Sequence, residues 1–402
     1  MSFRRELAVI TASVCIATSC TAGEDSVSTS PSPKTSATSE TFVPTIKSCD
    51  EPSAAAMEAA DGFIKAQQET PQEPFDSSLK PEQYWEIQNE KRSTIAASLG
   101  LHTFSPSWGF YDLYNSPAEK RNSTPFSTYM GNANEFMKNF GVTVETVPEK
   151  PQQIYYYGAR TPTPLELETE EAKRTVESII WYYSKIPAEY VSLAGLKKIY
   201  IVANTQDNIK GYASHSYGDS GYFGYYTTDI SRMGSGVDGH ELYHLIDSAI
   251  CGEPGARTDL DQAFQEPTNN FPDFYNGNVD SDKYLSYGDL IFRADRSKLI
   301  HEQSLALASN DEEGYCKAQE EINAINKQVM AVSNYHPNPS EEKAELGNML
   351  TDPQTSDVAT SESFPLLRAQ ARVLIARIYQ KAPRIAEYFT KIGHQYYTAK
   401  KC

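Results

Sequence analysis

Two histidines and a glutamate stand at the spacing His240-Glu241-Leu242-Tyr243-His244. Residues four apart on a helix point the same way, so both imidazoles reach one metal ion, and Glu241 lies about 100° round the axis, beside a water on that metal. This is the arrangement for metal-assisted hydrolysis. Zinc is the expected ion, with His240 and His244 as ligands and Glu241 as the general base. Asp247 follows His244 by three residues on the same face, where a carboxylate can hold an imidazole N–H and fix its tautomer. Catalytic zinc takes three protein ligands and leaves one position open, so a third ligand must come from elsewhere.

The residues after the motif narrow that search. A metzincin would continue with glycine at 247 and His or Asp at 250, and this chain has Asp247 and Ile250. An acidic ligand from a later helix is the remaining common solution. The distal half offers Glu266, Glu302 and Glu362, and spacing does not choose among them.

Several elements must position these groups. The motif helix is expected to begin near Ser235 or Val237, with Leu245, Ile246, Ala249 and Ile250 on its buried side. Ahead of it, Lys198-Ile-Tyr-Ile-Val-Ala203 has the length and β-branched composition of a strand, and Gly211-Tyr-Ala and Gly221 to Thr228 are glycine-aromatic stretches suited to further strands. Glu168 to Lys185 reads as a helix whose Val176, Ile179, Ile180 and Tyr183 form one apolar stripe. Earlier, Ala54 onwards and Pro81 onwards read as helices, the second with proline in its first turn. A Pro-rich interval around 147–164 separates that mainly helical region, 49–150, from a second body, 151–402.

The order of a helix, an Ile186-Pro187 turn, the Lys197-Lys198-Ile-Tyr-Ile-Val strand, glycine-aromatic strands and then His240-Glu241-Leu-Tyr-His244-Leu-Ile-Asp247 resembles the catalytic domain of the anthrax lethal factor-like metallopeptidases, a gluzincin group. The resemblance covers about residues 170–250 and 355–390. It implies an α+β, zincin-like domain that hydrolyses peptide bonds of a peptide or protein substrate. Ser361-Glu362-Ser363-Phe364 is similar to the family's later segment, in which a Glu followed closely by Phe ligates zinc, so the resemblance implies Glu362 as third ligand. It also implies that the strand just before the metal helix, Gly221 to Thr228, pairs with extended substrate. The competing reading is a surface-binding lipoprotein that keeps the fold without turnover.

Composition supplies the setting. The 402 residues carry a net charge of -17, which repels phosphate backbones and argues against nucleic-acid partners. Arg4 and Arg5 precede a short apolar run, Leu7 to Ile16, which reads as an export signal over residues 1–19. Ala17-Thr18-Ser19-Cys20 resembles a bacterial lipobox, in which Cys20 would be lipidated and hold the chain at a membrane. Residues 20–48 are rich in Ser, Thr and Pro, the composition of a tether. Cys49, Cys251, Cys316 and Cys402 then form an even set in an exported chain, expected to make two disulfides in one of three pairings. Gly218-Asp219-Ser220-Gly221 imitates a serine-protease motif but lacks its context, and Asn278-Val-Asp280-Ser-Asp282 lacks the glycine and terminal glutamate of a calcium loop; both read as turns.

Overall fold

The computed structural model describes residues 49, 51–69, 81–146, 159–204, 211–215, 221–226, 236–251, 261–265, 285–286, 294–309, 311–327, 329–330 and 339–392. The export signal, Cys20 and the tether, Glu266, Cys402, residues 218–220 and the 278–282 turn lie outside them.

The fold is α+β, with helices predominating. The first helices are α1 (Ala54–Glu69), α2 (Pro81–Ser98), α3 (Trp108–Tyr114), α4 (Ala118–Ser123) and α5 (Phe126–Met137). After strands β1 (Thr143–Thr146) and β2 (Ala159–Arg160) come α6 (Pro164–Leu167), α7 (Glu170–Tyr183) and α8 (Ala188–Leu193). Strands β3 (Leu196–Asn204), β4 (Gly211–His215) and β5 (Gly221–Tyr226) precede the motif helix α9 (Gly236–Ile250) and the short α10 (Gln262–Gln265). Beyond them, β6 (Leu285–Ser286) and β7 (Val329–Met330) pair in parallel around α11 (Ala294–Ala308) and α12 (Glu312–Asn326). The chain closes with α13 (Pro339–Thr351), α14 (Pro353–Thr360), α15 (Pro365–Lys381) and α16 (Pro383–Ile392).

Strand β3 organises the sheet. It pairs with β1 in parallel and β2 antiparallel on one side and with β5 in parallel on the other, and β4 closes that side antiparallel to β5. The sheet order is therefore β1-β3-β5-β4. This corrects one expectation. Strand β5 is hydrogen-bonded along both sides and has no edge to offer, so among the described residues β4 is the edge strand nearest the motif helix, against which it packs.

Helix α7 shows why local pattern and fold agree. Thr169 caps it by accepting a hydrogen bond from Ala172 N, and Glu170 and Glu171 sit in the first turn, where the helix dipole favours negative charge. The predicted stripe of Val176, Ile179, Ile180 and Tyr183 is fully buried. Most of the Pro-rich interval lies outside the described residues, and on either side of it the side chains share one hydrophobic core running from Ala56 to Ile392. Helix α1 packs on α15 and α16, and α5 packs on α7.

Cys49 and Cys251 form a disulfide, tying the chain just ahead of α1 to the residue that follows the motif helix. Cys316 is also disulfide-bonded.

Candidate metal centre

Helix α9 begins at Gly236, within a residue of the expected start, and buries Leu242, Tyr243, Leu245, Ile246 and Ile250. Its partner is α13, and no other pair of described helices packs as extensively. Gly239 lies against Asn348 while His244 lies against Ser340 and Glu341, so the two helices run antiparallel. Two glycines permit the close approach. A Cβ at Gly347 would overlap the Tyr243 ring, and one at Gly239 would overlap the Asn348 side chain.

That crossing brings three donors together. His240 Nε2 is 3.2 Å from His244 Nε2 and 3.1 Å from Glu341 Oε2, and His244 Nε2 is 3.5 Å from Glu341 Oε1. His240 is buried, while His244 and Glu341 are partly buried. The outer nitrogens face polar groups, His240 Nδ1 without hydrogen-bond geometry. His240 Nδ1 lies 3.5 Å from Glu345 Oε1, and His244 Nδ1 lies 3.3 Å from Ser340 Oγ. Helix α13 thus places Ser340, Glu341 and Glu345 beside the ring nitrogens of the two histidines.

The electrostatics suit a cation. Burial pulls the His240 imidazole down, but hydrogen bonds and charge from Glu345 and Glu341 outweigh it and hold the group well above its ordinary pKa. Burial pushes Glu341 up, but His244 and His240 outweigh it and hold the carboxyl well below the usual range. Glu241 is raised by burial, with His240 and His244 drawing it part of the way back. Its Oε2 is buried with no hydrogen-bond partner among the described residues.

The donor set fits zinc. Ligand atoms about 2.0–2.1 Å from a tetrahedral centre stand about 3.3 Å from one another, close to the 3.2 Å between the two imidazole nitrogens, each of which faces a different oxygen of Glu341. Two imidazoles and one carboxylate form a known catalytic zinc set, and the unpartnered oxygen of Glu241 supplies the neighbouring base.

The structure brings only part of the expected site together. His240, Glu241 and His244 lie as the helical spacing requires. Glu362 does not join them: it is 78% exposed between α14 and α15 and pairs with Arg368 at 3.2 Å. Glu302, on α11, is also exposed and pairs with Lys298. Glu341 takes the place next to the histidines. Asp247 is likewise redirected, because its buried carboxylate meets Lys343 Nζ at 2.6 Å, and Glu345 and Ser340 are the groups at the outer imidazole nitrogens. A sequence signal for this does exist: Glu341 and Glu345 are four apart in a segment opening with Pro339-Ser340, the acidic counterpart of the histidine spacing.

No protein-family model matches the chain, and no curated protein matches it. One solved structure overlaps it, a "putative zinc-binding metallo-peptidase" from Bacteroides caccae ATCC 43185, at 14% identity and a TM-score of 0.32 over 69% of this chain and 92% of that one. A likeness that faint carries no argument for fold or for function.

Proposed function

We propose that this chain is a zinc-dependent peptidase of zincin-like fold, with His240, His244 and Glu341 as the metal ligands and Glu241 as general base. One observation carries the reading: on two antiparallel helices the His240 and His244 Nε2 atoms stand 3.2 Å apart, each within 3.5 Å of a carboxylate oxygen of Glu341, beside a buried oxygen of Glu241 with no hydrogen-bond partner among the described residues. Zinc held there supplies Lewis acidity and makes a water acidic near neutral pH.

The chain's own groups do the rest. Glu241 takes the proton from the attacking water and delivers it to the leaving amine, and its raised affinity for protons suits a group that must hold one in mid-reaction. Glu345 and Ser340 hold the imidazole rings in orientation. The side of β4 away from β5, unpaired among the described residues, would offer main-chain hydrogen bonds to an extended peptide beside α9. Export and lipid anchoring through Cys20 belong to this proposal on the pattern of residues 4–20 alone.

The test combines metal analysis with a paired variant. Purified protein is expected to contain zinc and to cleave a peptide library, and Glu241→Gln is expected to keep the metal and lose cleavage. Zinc-loaded wild type and Glu241→Gln that are equally inert would favour the surface-binding alternative. Absence of any metal uptake would end the peptidase reading.

A further inference from the structure

Behind the histidine face, four ionised side chains from four elements meet in the interior. Lys343 of α13 is fully buried, with Nζ 2.6 Å from Asp247 Oδ2 of α9 and 3.4 Å from Asp261 Oδ2 just ahead of α10. Arg377 of α15 forks onto Asp261, with Nη1 on Oδ2 and Nη2 2.5 Å from Oδ1. Asp261 also accepts Phe264 N at 3.0 Å. The exposures of Asp247, Asp261, Lys343 and Arg377 are 1%, 0%, 0% and 2%.

The quartet is electrically neutral but expensive. Each ion loses several kcal/mol of hydration, and a well-packed apolar set of similar volume is often as stable or more so. What such a cluster provides that an apolar one does not is a unique register, because ions satisfied in one alignment are stranded in any other. Here the alignment concerned is that of α9 against α13. Asp247 lies three residues beyond His244, and Lys343 stands midway in sequence between Glu341 and Glu345, the two carboxylates that reach the histidines. A slip of one residue moves α13 by about 1.5 Å along its axis and about 100° around it, while zinc–ligand distances tolerate only about 0.2 Å.

We infer that Lys343 is a positioning residue for the metal centre, its buried bridge from Asp247 to Asp261 setting the register in which Glu341 meets His240 and His244. This rests on the metal-centre reading above. Apolar packing around Tyr243 and Gly347 holds the helices together; the ion bridge selects which of the neighbouring alignments they occupy.

The double variant Asp247→Asn with Lys343→Met removes one charge of each sign from the bridge and leaves Asp261 paired with Arg377. It is expected to keep a metal-free thermal midpoint near that of wild type, while its zinc dissociation constant, read by chelator competition, rises about 10- to 100-fold. The visible spectrum of the cobalt-substituted protein, which reports coordination geometry, is expected to change. A folded double variant with wild-type zinc affinity and an unchanged cobalt spectrum overturns the inference and leaves the metal centre standing. Wild type that takes up neither zinc nor cobalt overturns the metal centre and this role together. Should the double variant not fold, Asp247→Asn alone decides: weakened zinc binding supports the role, and wild-type affinity overturns it.

Discussion

Replacing Glu341 with glutamine separates the ligand proposed from the fold from the one the sequence resemblance implies. A structural zinc site is worth about 10–16 kcal/mol over four ligands, so one ligand accounts for about 3 kcal/mol, or roughly 100-fold in affinity. At fixed excess zinc, a 100-fold weaker site stabilises the folded state by about 2.7 kcal/mol less. Unfolding the roughly 350 residues beyond the tether carries an entropy of about 0.7 kcal/mol/K, so that loss corresponds to about 4 °C in the zinc-induced rise of the midpoint. Glu362 is exposed and, among the described residues, pairs with Arg368, a contact worth at most about 1 kcal/mol. The assay is thermal unfolding of wild type, Glu341→Gln and Glu362→Gln, each with zinc and with chelator. The difference within each variant cancels any effect of the substitution on the metal-free protein. Wild type and Glu362→Gln are expected to show equal zinc shifts, and Glu341→Gln one smaller by about 4 °C. A full shift in Glu341→Gln, or its loss in Glu362→Gln, refutes the ligand assignment.

Three further outcomes follow from the packing. Burial, opposed by Arg121 and Arg174, raises Glu177 to about 7, so the folded state binds more protons than the unfolded state between about pH 4.5 and 7 and loses stability as pH rises through that window. Glu177→Gln is therefore expected to match wild type near pH 4 and to exceed it by up to about 3 kcal/mol above pH 7; urea midpoints that differ equally at both pH values contradict this. Gly347→Ala forces a methyl into the buried Tyr243 ring and is expected to cost about 1–3 kcal/mol, whereas Gly62→Ala, in open space on α1, is expected to gain up to about 1 kcal/mol; equal effects in chemical denaturation would contradict the close-packed crossing. Removing the Cys49–Cys251 bridge by double alanine substitution opens a loop of 202 residues and is expected to lower stability by about 2–5 kcal/mol, read from denaturant midpoints under non-reducing conditions.

Features set by neighbouring residues were legible without coordinates. The helical pitch alone places His240 and His244 on one face with Glu241 beside them, and α9 keeps that arrangement. The buried stripe of α7 and the run of strand β3 follow from local periodicity in the same way. Glu341 was legible only as one of two glutamates four apart; 101 residues separate it from His240, and only the α9–α13 crossing decides which distant carboxylate arrives. Glu362 has the sequence likeness, but it lies on the surface. Asp247 likewise has the helical phase to face an imidazole, yet Lys343 reaches it first from another helix. Which glycine-aromatic strand forms the sheet edge depends on pairing order, in which β5 lies inside and β4 outside. The pairing of Cys49 with Cys251 similarly waits on α1 and α9 being folded into one core. The sequence by itself therefore determined the histidine pair and its base, whose spacing is a property of one helix. The carboxylate beside the histidines, the buried ion bridge and the strand order among the described residues were decided by tertiary structure, because each depends on contacts between segments far apart in the chain.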